Sequence, residues 1–134
     1  MPYYYHGPVM PGGRKPTGGK IRKSRGKRRR EAGRPPAFTV VGIRKLKHIR
    51  VMGGNWKLRL VSDHEVNVAI GDGQTKRVKI LDVIDNPASK VLKRRGIITK
   101  GAIVKTEIGM VKITSRPGQH GILNGVLLRE EVAS

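Results

Sequence analysis

The chain has 134 residues, with 29 Lys and Arg against nine Asp and Glu, a formal net charge of +20 and a pI near 11.3. That length holds one domain with a tail, and self-repulsion of this size calls for a large anionic partner: nucleic acid first, an anionic membrane surface second. No apolar run approaches the roughly 20 residues of a membrane-crossing helix, residues 1–13 lack the apolar core of a signal peptide, and without cysteine there are neither disulfides nor thiolate metal ligands. The expectation is a cytoplasmic protein. Its four Asn and two Gln are few, a tendency shared with thermophile proteins.

The charge is unevenly spread. Residues 1–60 hold 17 Lys and Arg and a single acid, Glu31, whereas residues 61–134 hold 12 basic and eight acidic residues. The chain opens on Tyr3, Tyr4 and Tyr5, three aromatics outside any core pattern, for which base stacking and a simple terminal cap are both open readings. The arm follows. Arg14, Lys15, Lys20, Arg22, Lys23, Arg25, Lys27, Arg28, Arg29 and Arg30 place ten positive charges in seventeen residues, with Ile21 the one large apolar side chain among them. Such a segment has no face to dock on a core, and Pro16, Gly18, Gly19 and Gly26 oppose a helix, so the expectation is disorder until a polyanion neutralises it. A solvated basic tail is the plainer alternative. Arg34, Pro35, Pro36 and Phe38 belong to an extended junction whose first anchor is Phe38. The expected division is a basic arm over 1–37 and a domain over 38–134.

From residue 39 onward apolar residues recur at period two between Gly, Asp, Asn and Pro, the pattern of short strands. Trp56, Leu58 and Leu60 form one face of a strand and Lys57 and Arg59 the other. Val66, Val68 and Ile70 form a second strand, Gly71-Asp72-Gly73 a turn, and Val78 and Ile80 a third strand beside Lys76, Arg77 and Lys79. A register shift is expected near Leu81 to Val83. One short helix is predicted over Ala88 to Arg95, with Asn86 as N-cap, Pro87 at the first position and Gly96 ending it, which turns Val91 and Leu92 inward and puts Lys93, Arg94 and Arg95 in the last turn. Strands resume at Ile97 to Thr99, Ala102 to Glu107, Met110 to Thr114 and Ile122 to Leu128, with a tight hairpin at Ile108-Gly109 and a turn at Arg116-Pro117-Gly118. The expected fold is mainly β: a small closed or half-open barrel of short antiparallel strands with one short helix, preceded by the extended basic arm.

Catalytic constellations fail one by one. Gly19-Lys20 is followed by Ile21 where a phosphate-binding loop needs Ser or Thr, and no strand precedes it. His6, His48, His64 and His120 are isolated, and Asp82 and Asp85 sit where a turn and a helix start explain them. No nucleophile has a base, so no enzyme, cofactor, metal or small-molecule substrate is expected. The candidate RNA-binding residues are the arm's Lys and Arg and Arg34, together with Lys57, Arg59, Lys93, Arg94, Arg95, Lys100 and Arg116. Arginine bonds phosphate through two N–H groups and stacks on exposed bases, which suits irregular RNA.

The run Arg14-Lys15-Pro16-Thr17-Gly18-Gly19, then Arg25-Gly26-Lys27-Arg28, then Gly33-Arg34-x-Pro36, resembles the N-terminal signature of the small-subunit ribosomal protein family S8e of archaea and eukaryotes. Val51-x-Gly53-Gly54-Asn55, Asp85-Asn86-Pro87-Ala88 and the tract from Ile97 to Ile103 and on through Thr114-Ser115-Arg116-Pro117-Gly118-Gln119 extend the resemblance over nearly the whole chain. It implies a non-catalytic constituent of the small ribosomal subunit, bound to 16S-type rRNA beside neighbouring ribosomal proteins. The chain lacks the internal insertion of eukaryotic members and so looks archaeal. It departs from the family at Tyr5-His6-Gly7, where members commonly carry an aromatic-Gln-Gly. A ribosome-assembly factor that binds pre-rRNA and leaves is the alternative, and a chromatin-type DNA binder a third reading.

Overall fold

A computed structural model of the chain describes residues 14–20, 28, 30, 33–71 and 73–128. The chain separates into two compact units, Met1–Pro36 and Ala37–Ser134.

In the first unit, residues 14–20 close on themselves. The Gly18 N–H donates to the Lys15 carbonyl at 2.8 Å, which makes a four-residue turn with Pro16 at its second position, where the fixed φ of proline is already right. The Lys15 N–H donates to the Gly19 carbonyl and the Arg14 guanidinium to the Gly18 carbonyl, both at 2.8 Å, and Arg14 and Lys20 face each other as an antiparallel bridge. Pro-Thr-Gly-Gly is turn chemistry that needs no core, which accounts for this local closure at residues 14–20. The expectations for Tyr3, Tyr4, Tyr5, Arg22, Lys23, Arg25, Lys27 and Arg29 lie outside the described residues.

The second unit holds, in chain order, β1 (Val40–Val41), β2 (Lys45–Arg50), β3 (Trp56–Asp63), β4 (Glu65–Gly71), β5 (Gln74–Asp85), α1 (Lys90–Arg94), β6 (Ile103–Thr106), β7 (Gly109–Ile113), α2 (Pro117–His120) and β8 (Asn124–Leu127). β4 to β8 close into a five-stranded barrel in sequence order, and β1, β3 and β2 form a separate three-stranded sheet. Five strands running up and down leave the first and last pointing the same way, so the seam between β4 and β8 is necessarily parallel. It pairs Asn67 with Asn124, whose side-chain amides bond at 3.0 Å across the join. The expectation of antiparallel strands holds for every other barrel pair and gives way at this seam and at the parallel β1–β3 pair.

The barrel interior is filled by side chains: Val66, Val68, Val78, Ile80, Ala102, Val104, Val111, Ile113 and Leu123, joined by Leu60 from β3 and Ile98. The period-two positions of β4 and β5 thus point inward as the pattern requires. The expected register shift appears in β5, between Ile80 and Asp82 and again between Val83 and Asp85. Around the Glu107–Ile108 turn Thr106 pairs with Gly109, so the hairpin loop lies one residue earlier than expected.

Three expectations around the helix change. α1 begins at Lys90, and its N-cap is Ser89, whose hydroxyl accepts from the Val91 N–H at 3.2 Å. Asn86 is instead buried. Its amide donates to the Ile97 carbonyl at 2.8 Å, and its side-chain oxygen accepts from Thr99 Oγ1 at 3.0 Å and the Ala88 N–H at 3.1 Å. Those bonds hold residues 86–89 in a turn and delay the helix by one turn. Gly96 does end it, at φ +62, with its N–H on the Lys93 carbonyl and the Ile97 N–H on Leu92. Leu92 is half-buried, but Val91 is 58% exposed and does not turn inward. Residues Pro117–His120 make a second short helix where only a turn was expected, and Ile97 to Thr99 contribute a single bridge, Thr39 to Ile98, rather than a strand.

Candidate nucleic-acid interface

The junction enters the second unit through Thr39 rather than Phe38. Thr39 is fully buried, its hydroxyl donating to the Leu60 carbonyl at 2.8 Å and its own carbonyl accepting from the Ile98 N–H at 2.8 Å. Phe38 stays 40% exposed beneath the Arg95 guanidinium, 4.8 Å from the ring centroid. This cation–π contact fixes a C-terminal arginine of α1 beside the incoming chain. Next to Phe38, Ala37 lies against the backbone of Gly118 in α2, and Gln119 of the same helix accepts from Lys57 Nζ at 2.7 Å. Arg116 sits at the N-cap of that helix, exposed. Contacts therefore run from Arg95 to Phe38, from Ala37 to α2, and from α2 to Lys57, with Arg116 at the start of that helix.

The remaining candidates fall elsewhere. Lys93 donates to Asp85 at 3.1 Å, and that hydrogen bond, with a second from the Asn86 N–H, holds the Asp85 carboxyl below its ordinary value. Arg94 completes the last turn of α1, and Lys100 is exposed in the loop before β6. Arg77 is ion-paired with Glu65 and lies on β5 with Lys76 and Lys79, on the barrel wall. In the first unit Arg14, Lys15, Lys20, Arg28, Arg30 and Arg34 are exposed.

β2 went unassigned in the sequence because Lys45-Leu46-Lys47-His48-Ile49-Arg50 has too few apolar residues to show a period, and only Ile49 is buried. Its register against β3 adds a feature. Lys47 stands directly opposite Arg59, and the next position on that face pairs Ile49 with Lys57. Like charges facing each other across a strand pair are destabilising. No acid occurs from Ala32 to Ser62, and Asp63, which follows, is buried and faces Arg44 at 3.8 Å. Arg59 was readable as a candidate from strand alternation, whereas its cationic neighbour emerges only from the pairing.

Among the described residues no three His, Cys, Asp or Glu side chains gather as a metal site, and no helix is long and apolar enough to cross a membrane. A small β unit with Lys47 facing Arg59 on its sheet, preceded by a Lys- and Arg-rich segment, has the charge distribution of nucleic-acid-binding proteins. Residues 12–128 match the family Ribosomal protein S8e, and the chain belongs to that family. The chain is similar to the small ribosomal subunit protein eS8 of Nanoarchaeum equitans, 56% identical over 108 residues that cover 80% of this chain and 85% of the relative. It is also similar to that of Staphylothermus marinus, 50% identical over 119 residues covering 87% of this chain and 93% of the relative. It is an archaeal-type member of a family of structural, non-enzymatic constituents of the cytoplasmic ribosome.

Proposed function

We propose that this protein is a permanent constituent of the small ribosomal subunit that binds and stabilises 16S-type rRNA through its N-terminal arm and the basic face of its three-stranded sheet. The observation that carries the reading is Lys47 opposite Arg59, in a stretch of 31 residues without an acid. A phosphate placed there is attracted by both side chains, and the arm extends the same chemistry along the RNA backbone. Neighbouring ribosomal proteins complete the setting.

The test is composition. One copy per purified mature small subunit is expected, and presence only in precursor particles would instead favour an assembly factor. Competition at fixed salt adds a second arm: folded 16S rRNA should displace the protein from duplex DNA, and equal affinity for the two would overturn the ribosomal reading.

A further inference from the structure

The hairpin between β2 and β3 carries the chain's single tryptophan, and the structure leaves it uncovered. Trp56 is 66% exposed and Met52, in the connecting loop, 91% exposed. Period two assigns Trp56 to an apolar face with Leu58 and Leu60, yet only Leu60, far from the tip, reaches the core. Exposed at one hairpin, the indole and the Met52 thioether offer an apolar, polarisable patch of the kind that contact surfaces use.

The loop presenting it is built. The Val51 N–H donates to the Asn55 carbonyl at 2.8 Å, and the Asn55 amide donates to the Met52 carbonyl at 3.3 Å. Gly53 and Gly54 both take positive φ, +75° and +73°, a pair of conformations that side-chained residues rarely adopt. The register sets Arg50 directly opposite Trp56, so both lie on one face, while Lys57 follows on the other. The tip thus combines a flat aromatic surface, a polarisable thioether and cations, in the acid-free stretch. A protein partner would need an apolar pocket rimmed by carboxylates. A nucleotide carries both required parts, a π-face and a phosphate.

We propose that Trp56 is a base-stacking residue: an unpaired rRNA base lies on its indole beside Met52, at the tip of the acid-free stretch. This rests on the rRNA-binding reading above and adds a contact to a base where the other cations contact backbone.

Because Trp56 is the only tryptophan, indole emission reports on this position alone. The full-length protein is titrated with transcribed archaeal 16S rRNA at fixed salt, following emission and, separately, retention on filters. Quenching is expected along the binding curve. Trp56→Ala is expected to weaken binding on the order of 10-fold with an unchanged salt slope, since no charge is removed. Trp56→Phe should restore most of the loss, and the melting temperature should hold in both. Normal retention with unquenched indole, or with full affinity in Trp56→Ala, overturns the stacking contact and leaves the rRNA reading standing. Quenching that appears only when other small-subunit proteins are added assigns the tip to a protein and also overturns it. Failure of the wild-type chain to bind rRNA overturns both.

Discussion

Asn86 and Asp85, adjacent in sequence, do different work. Asn86 spends its amide and its side-chain oxygen on three partners that tie the turn before α1 to residues 97–99 after it. Asn86→Ala strands the Ile97 carbonyl and the Thr99 hydroxyl in a buried place, at a cost of about 2 kcal/mol. For a domain of this size that lowers the melting temperature by roughly 10 °C, measurable by calorimetry. Asp85 accepts from Lys93 and from the Asn86 N–H, and both bonds favour its charged form, so its folded pKa lies below the ordinary aspartate value. A depressed carboxyl contributes stability that is present above its unfolded pKa and is lost as pH falls through the folded one. The stability gap between wild type and Asp85→Asn, read from denaturant midpoints, is therefore expected to be constant above about pH 5 and to close as pH falls below about 4. Serine was the better helix cap all along. Asn-Pro at positions 86–87 imitates a helix start, and only the burial of Asn86 against Ile97 and Thr99 reveals the turn.

Among elements, the barrel strands were legible because each has one wet and one dry face. Val66 and Val68, and Val78 and Ile80, show period two since every second side chain enters the same interior. β2 was not legible, because a strand that keeps one buried residue in six has no period to show. The count of strands in the barrel, and with it the parallel seam, depends on pairings between residues 67–69 and 124–126, which nothing local encodes. Gly125 sits on that seam. A Cβ there would lie 2.8 Å from the Lys112 carbonyl oxygen and collide with the Val111 side chain. Gly125→Ala is expected to cost about 1–3 kcal/mol through overpacking, where the same change at Gly73, whose Cβ would meet nothing, carries only backbone strain. Urea unfolding of Gly125→Ala, with its midpoint lowered, checks the point.

At the scale of the molecule, charge is separated from packing. The core lies within the second unit, whereas the first 36 residues hold eleven Lys and Arg against one acid, the densest charge in the chain. Affinity and stability are accordingly expected to separate. Removal of residues 1–34 takes away eleven Lys and Arg and should leave the melting temperature of the remaining domain within a few degrees. It should flatten the dependence of log K on log salt for rRNA by several units, up to about 7 if most of those charges meet phosphates. Filter binding at four or five salt concentrations measures the slope, and an unchanged slope would mean the arm does not track the RNA backbone.

Composition alone pointed to a polyanionic partner, because +20 on 134 residues is a self-repulsion that a large anion relieves. Local patterning determined a β fold with short strands, since period two survives wherever one face is dry. The tertiary structure alone decided which cations meet. Lys47 and Arg59 are twelve residues apart and come face to face only through the β2–β3 register, and Arg95 meets Phe38, and Lys57 meets Gln119, only in the folded unit. It also decided that Trp56, apolar by pattern, faces outward. Which side of a strand is covered depends on what packs there, and that is a property of the fold rather than of the strand.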